Sequence, residues 1–109
     1  ALSEGITLLK KSNVDPKIFL EILNSTYFKT GMSEKKAYKM IDGKYDATFT
    51  LANLKKDIST MTSTAKALGV ELPMISKAEQ VYENAVNEGL GEIDYTGIIE
   101  YIKKINEVK

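Results

Sequence analysis

Leu51-Ala-Asn-Leu54-Lys-Lys-Asp-Ile58-Ser-Thr-Met61-Thr-Ser-Thr-Ala65-Lys-Ala-Leu68 is the most strongly patterned stretch of the chain, and its apolar residues decide the fold class. Leu51, Leu54, Ile58, Met61, Ala65 and Leu68 recur at alternating spacings of three and four, which predicts a helix with a buried stripe, stopped by Gly69. Downstream, Pro73 opens a helix with apolar positions Met74, Ala78, Val81, Tyr82 and Ala85, and Gly89 closes it. Asp94 is expected to cap a last helix carrying Ile98, Ile102 and Ile105 on one face, with Ile93 and Ile98 forming a hydrophobic staple. Upstream, a short helix is expected from Ser33, as its cap, to about Ile41, closed by Asp42-Gly43. Before it, Asp15 caps a helix that starts at Pro16 and buries Phe19, Ile22 and Leu23, with Val14 stapled to Phe19. The first helix carries Leu2, Ile6 and Leu9 and ends near Ser12, where Asn13 can take the left-handed conformation. No stretch alternates like a strand. The expected fold is all-α, one domain over residues 1–109 with about six helices.

Composition narrows the functions available. The 109 residues are 43% hydrophobic and 28% charged, ordinary for a soluble globular domain. Fifteen basic and fifteen acidic residues cancel, so no overall field attracts nucleic acid or an anionic membrane. The Lys-Lys doublets at 10–11, 35–36, 55–56 and 103–104 sit on separate predicted helices and read as solvated faces. There is no cysteine and no histidine, which removes thiol nucleophiles, imidazole bases and the usual zinc ligands, so no metal site is expected. No apolar run approaches the roughly 20 residues of a membrane span, and the cytoplasm is the expected compartment. Ala1 opens the chain in mid-pattern without a cap, as expected of a piece of a longer protein.

Several motifs resolve into plain structure. Gly89-Leu-Gly91 begins like a dinucleotide fingerprint but follows a helix rather than a strand, and Asp94 stands where a third glycine is needed. A glycine stop followed by an aspartate start explains it. The acidic residues form no distinct acid/base pair: Glu79 and Glu83 share a helix face through spacing alone, as exposed residues do. Tyr27, Tyr38, Tyr45, Tyr82, Tyr95 and Tyr101 are scattered and read as packing residues rather than a stacking platform.

The helix from Leu51 carries a less ordinary face. At roughly 100° per residue, Lys56 lies nearly opposite the apolar stripe, with Phe49, Ala52, Asn53, Thr60 and Ser63 on its side and Asp57 at the stripe's edge. A phenylalanine, small residues and one lysine make a docking surface as readily as a solvated exterior.

The run Phe49-Thr-Leu51-Ala-Asn-Leu54-Lys-Lys56-Asp57-Ile58 resembles the F-x-L-x-x-L-x-K-D-L motif of the β-hydroxyacid dehydrogenases, a family that includes 3-hydroxyisobutyrate dehydrogenase and the tartronate and succinic semialdehyde reductases. Three more stretches agree in order. Ala1-Leu-Ser-Glu4-Gly5 is similar to the A-x-x-E-A of the family's interdomain helix, Val14-Asp15-Pro16 to its L-D-P helix start, and Gly89-Leu-Gly91-Glu-Ile-Asp94-Tyr-Thr96 to its G-x-G-x-x-D-x-S segment. The resemblance covers essentially the whole chain. Asn13 and Val14 stand where G-L is usual, and Ile58 replaces a leucine of like shape.

The resemblance implies an N-terminal Rossmann domain binding NAD or NADP, followed by an all-helical C-terminal domain like that of the 3-hydroxyisobutyrate and 6-phosphogluconate dehydrogenases, to which this chain corresponds. The family's catalytic lysine would precede Ala1, and Lys10 and Lys11 come too late in the helix to replace it. Lys56 matches the lysine that reaches the cofactor near its nicotinamide end. Asp57 matches the adjacent aspartate, with a structural role. The expected activity belongs to the full-length enzyme: hydride transfer between NAD(P) and a 3-hydroxy acid, or between NAD(P)H and a semialdehyde. The chain alone is expected to be inactive and to bind no cofactor. Its expected partners are the missing Rossmann half and further copies of itself, as a homo-oligomer. The segment from Tyr27 to Tyr45 matches poorly, so the particular hydroxy acid is not specified. The competing reading is a freestanding helical interaction or dimerisation module.

Overall fold

The computed structural model describes residues 1–109, which divide into two units, Ala1–Tyr45 with Thr96–Lys109, and Asp46–Tyr95. The structure is all-α, with six α-helices and no sheet. The first unit holds α1 (Leu2–Lys11), α2 (Pro16–Asn24), α3 (Ala37–Asp42) and α6 (Ile98–Ile105). A π-helical turn, Met32–Lys36, leads directly into α3. The second unit holds α4 (Leu51–Ala67) and α5 (Pro73–Ala85), which continues into a second π turn, Val86–Leu90.

In the first unit α1 packs on α6 and α3, and α2 packs on the π turn and α3. Ile6, Leu20, Ala37, Met40, Ile98, Ile99 and Ile102 are its buried apolar residues. The expected end of α1 is present: Asn13 is left-handed at φ 59, its N–H donates to the Lys10 carbonyl, and Val14 N–H donates to that of Leu9. Those two bonds satisfy carbonyls that a helix end otherwise leaves orphaned. Asp15 caps α2 through a bond from Lys17 N–H (2.9 Å), with Pro16 at the first helical position.

Three expectations for this unit are corrected. Ser33 does not itself start the third helix. The helix begins at Gly31, where Thr30 Oγ1 accepts from Ser33 N–H (3.1 Å) and Ser33 Oγ accepts from Thr30 N–H (2.9 Å). This is a reciprocal cap with Thr30 in the leading place. In α2 the buried residues are Pro16 and Leu20, whereas Ile22 is 61% exposed and Val14 lies open as well. Ile18, Phe19, Leu20, Ile22 and Leu23 make α2 apolar nearly all round, so periodicity does not choose its inner face. In α6, similarly, Ile99 is buried and Ile105 is exposed.

A polar cluster joins α6 to the end of the first unit's N-terminal segment. Tyr45 OH donates to Glu100 Oε1 (2.5 Å), and Lys103 Nζ lies 3.3 Å from the same oxygen. Burial pushes the Tyr45 phenol up, and the bond to Glu100 adds to it. Burial also pushes Glu100 up, but donors from Tyr45 and Lys103 outweigh it and hold the carboxyl below its ordinary range. Lys10 is held below its usual value by burial and by Lys103. Of two doublets expected to be solvated, one lysine of each is therefore drawn inward.

In the second unit the inner face of α4 is rotated from the expected stripe. Leu51 and Ala65 are buried, Leu54, Lys55, Ile58, Ser59 and Thr62 are half-buried, and Met61 and Leu68 are 50% and 74% exposed. The cause lies in α5. Thr62 Oγ1 donates to Glu79 Oε2 (2.8 Å), so a polar side of α4 is drawn against α5. Glu79 is thus not a mere solvated residue: bonds from Ser59 and Thr62 hold its carboxyl below the ordinary value. A depressed folded-state pKa stabilises the fold above the unfolded value and loses that contribution as pH falls through the folded one. Thr62→Val should therefore shrink the loss of thermal midpoint between neutral pH and pH near 4, and parallel melting curves at both pH values would read the difference.

Glycine substitution separates backbone from packing effects. Gly89 has φ 92 and interrupts the π turn, and no atom lies within 4 Å of where a Cβ would stand. The cost of Gly89→Ala is then conformational alone, about 1–2 kcal/mol. Gly5 lies within α1, and a Cβ there also meets nothing, so Gly5→Ala should stabilise by about 0.5–1 kcal/mol. Urea unfolding of the two variants should move the midpoint in opposite directions.

Candidate functional site

The site residue singled out by sequence, Lys56, stands on the second turn of α4, whose start is fastened on every side. Thr50 Oγ1 accepts from Asn53 N–H (3.2 Å) as the cap. Leu51 N–H donates to the Ile93 carbonyl and Ala52 N–H to the Gly91 carbonyl, both at 2.9 Å. First-turn N–H groups usually await an anion or water. Here two of them are taken by carbonyls, so this helix start is not a phosphate cradle. A Cβ on Gly91 would lie 3.5 Å from Ala52 Cβ, an ordinary van der Waals contact, so the approach does not itself require glycine.

Asp94 ties the same corner together. Its side chain is fully buried, and Oδ1 accepts from Thr48 N–H (3.0 Å), Thr48 Oγ1 (2.9 Å) and Phe49 N–H (3.4 Å). Tyr95 N–H donates to the Phe49 carbonyl (2.9 Å), Thr50 and Asp94 form an isolated antiparallel bridge, and the Phe49 and Tyr95 rings meet edge to face at 6.2 Å and 74°. Asp94 also stands directly before the helical run that opens with the 3₁₀ turn Tyr95–Gly97 and continues as α6, the place expected of a cap, whereas its bonds to Thr48 and Phe49 were not read from the sequence. A carboxylate accepting several bonds in a dry corner holds the entry to α4 rigid.

On this base Lys56 is exposed, as are Asn53, Thr60 and Ser63. The expected outer face is present except at Ala52, which is half-buried. Phe49 keeps 38% of its surface open. Thr60 Oγ1 donates to the Lys56 carbonyl (3.1 Å), leaving the ammonium outside that bond. The 55–56 doublet is split, Lys55 half-buried on the α5 side and Lys56 outward. Asp57 is exposed rather than set at a packed boundary, a correction to its expected structural place. A groove of about 760 Å³ runs between Thr62, Lys66, Val70, Glu71 and Ser76 and does not include Lys56. No three acidic side chains converge as metal ligands would. No helix is long and apolar enough to cross a membrane.

Six helices without a sheet, one of them presenting a lysine from a rigid base, define an all-α domain of the kind found as the C-terminal helical half of hydroxyacid dehydrogenases. Residues 1–102 match the family described as NAD-binding of NADP-dependent 3-hydroxyisobutyrate dehydrogenase, and the chain belongs to that family. Its relatives include glyoxylate/succinic semialdehyde reductase 2, chloroplastic, of Arabidopsis thaliana, 27% identical over 103 residues, with 94% of this chain and 29% of the relative covered. The mitochondrial 3-hydroxyisobutyrate dehydrogenase of Drosophila melanogaster is 28% identical over 112 residues, covering 94% and 34%. Among solved structures, a 3-hydroxyisobutyrate dehydrogenase from Salmonella typhimurium superposes with a TM-score of 0.84 at 24% identity, over 91% of this chain and 35% of that one. The chain thus spans about a third of the length of the relatives it matches.

Proposed function

We propose that the chain is the helical domain of an NAD(P)-dependent 3-hydroxyacid dehydrogenase or semialdehyde reductase, and that it supplies Lys56 to the cofactor and part of the contact between subunits. The observation that carries this is the family match across residues 1–102 together with an exposed lysine near the hydrogen-bonded start of α4. A Rossmann half lying before Ala1 would bind most of the cofactor and carry the catalytic lysine.

The residues present suit the cofactor as one contact rather than as a whole site. Lys56 offers a compact ammonium with three donors, suited to phosphate, hydroxyl or carboxamide oxygens. Asn53, Thr60 and Ser63 leave its surroundings small and polar. The bound nicotinamide would donate or accept the hydride. Lys56 would orient it and offset negative charge beside it, a positioning and electrostatic role with no proton transferred.

Two measurements test the proposal. The whole enzyme should oxidise NADH or NADPH with small semialdehydes, and no turnover with any such substrate would refute it. Calorimetric titration of the 109-residue chain with NAD or NADP should show no measurable heat, because a single surface cation cannot replace a binding crevice.

A further inference from the structure

We propose that the groove between α4 and α5 binds a small zwitterion, an amino acid whose carboxylate meets Lys66 and whose ammonium meets Glu79. The site does not include Lys56, and it goes beyond the cofactor role proposed above. Its frame is the bond from Thr62 to Glu79 (2.8 Å), which ties the two helices together. Lys66 stands one turn after Thr62 on α4, and Ser76 stands nearly one turn before Glu79 on α5. All four line the groove, which at about 760 Å³ is of ligand size. Val70 and Leu72 add apolar lining from the connecting loop, so a hydrocarbon body has something to rest on.

Charge selects the ligand. Bonds from Ser59 and Thr62 hold the Glu79 carboxyl below its ordinary value, so it is an anion at neutral pH. A carboxylate has about four lone-pair positions, and two bonds leave room for a further donor. Glu71 adds a second carboxylate to the lining and Lys66 a single ammonium, and neither is held in an ion pair. The groove therefore carries opposite charges that do not neutralise each other. A phosphate would face two carboxylates, and a simple amine would face Lys66. A molecule with both charges leaves neither pole against its like. One helical turn, about 5.4 Å, separates Lys66 from the level of the Thr62–Glu79 bond. That span suits an ω-amino acid such as 4-aminobutyrate better than glycine.

Nitrogen–proton correlation spectra of the 109-residue chain, titrated with 4-aminobutyrate, test the site. The backbone amides of Lys66, Gly69, Val70 and Ser76 should shift and saturate in the millimolar range. Butyrate and butylammonium, each with one charge, should bind about fivefold more weakly or worse. Lys66→Met should weaken 4-aminobutyrate about threefold, and Glu79→Gln about tenfold, with the spectra showing the fold intact. Lys66→Glu should lose 4-aminobutyrate and gain 1,4-diaminobutane, a reversal that partial unfolding does not produce. No saturable shift at tens of millimolar would overturn the site. Butyrate or butylammonium binding as tightly as 4-aminobutyrate would overturn the zwitterion. A Lys66→Glu chain with unchanged preference would remove Lys66 as the cationic pole and overturn the proposal. None of these outcomes touches the cofactor role of Lys56, which the whole enzyme's kinetics test separately.

Discussion

Asp94→Ala is expected to destabilise the chain by about 3 kcal/mol, a large share of a small domain's stability. The carboxylate is fully buried and accepts from two N–H groups and one hydroxyl across the 48–49 loop. Truncation leaves those donors dry and opens a void beside them, and hydrogen bonds to a charged group stabilise by roughly 1.5–3 kcal/mol each way of counting. Asp94→Asn keeps the shape and one acceptor oxygen, so it should cost clearly less. Urea denaturation of both variants against wild type measures the difference. Equal, negligible effects would show that the corner at Phe49 is held by its backbone bonds alone. Thr48→Val, which removes only the 2.9 Å hydroxyl bond, should fall between wild type and Asp94→Ala.

Lys56→Met should lower kcat/KM for the nicotinamide cofactor about 10–100-fold in the whole enzyme, the range of a charge-assisted hydrogen bond worth about 1.5–3 kcal/mol. Most of the loss should fall on cofactor KM, because a contact made equally in ground and transition states acts through binding. Lys56 is exposed, so the melting temperature should not change. Lys77→Met, which removes an exposed lysine of α5, is the control and should leave the kinetics alone. Lys56→Arg should retain part of the activity, since it keeps the charge but not the reach or shape. A Lys56→Met enzyme with wild-type cofactor KM would remove Lys56 from the site.

Much of the fold was legible because its signals are local. Asp15-Pro16 started a helix, Asn13 took the left-handed conformation expected of it, and six helices followed from spacing. The errors share one origin. Where a helix offers apolar residues on more than one side, spacing proposes several faces and only a neighbour chooses. Leu20 displaced Ile22 in α2 in this way. Met61 and Leu68 were left in the open because Glu79 on α5 draws Thr62 and Ser59 inward. Thr30 was overlooked because its role depends on Ser33 returning the bond. For the candidate site, the outward position of Lys56 follows from its angle to the stripe and survives the rotation of that stripe.

The sequence by itself determined the helices, most of their ends, the absence of cysteine and histidine chemistry, and the solvent-facing side of α4 on which Lys56 stands. These depend on interactions within a few residues, where backbone geometry and 3.6-residue periodicity leave little choice. Only the tertiary structure decided what Asp94 does. Its bonds run to Thr48 and Phe49, more than forty residues away in the chain, and no local pattern encodes a partner at that distance. The corner they form makes α4 a rigid mount for Lys56, and the physical reason is burial: a carboxylate withdrawn from water must find its donors inside the fold.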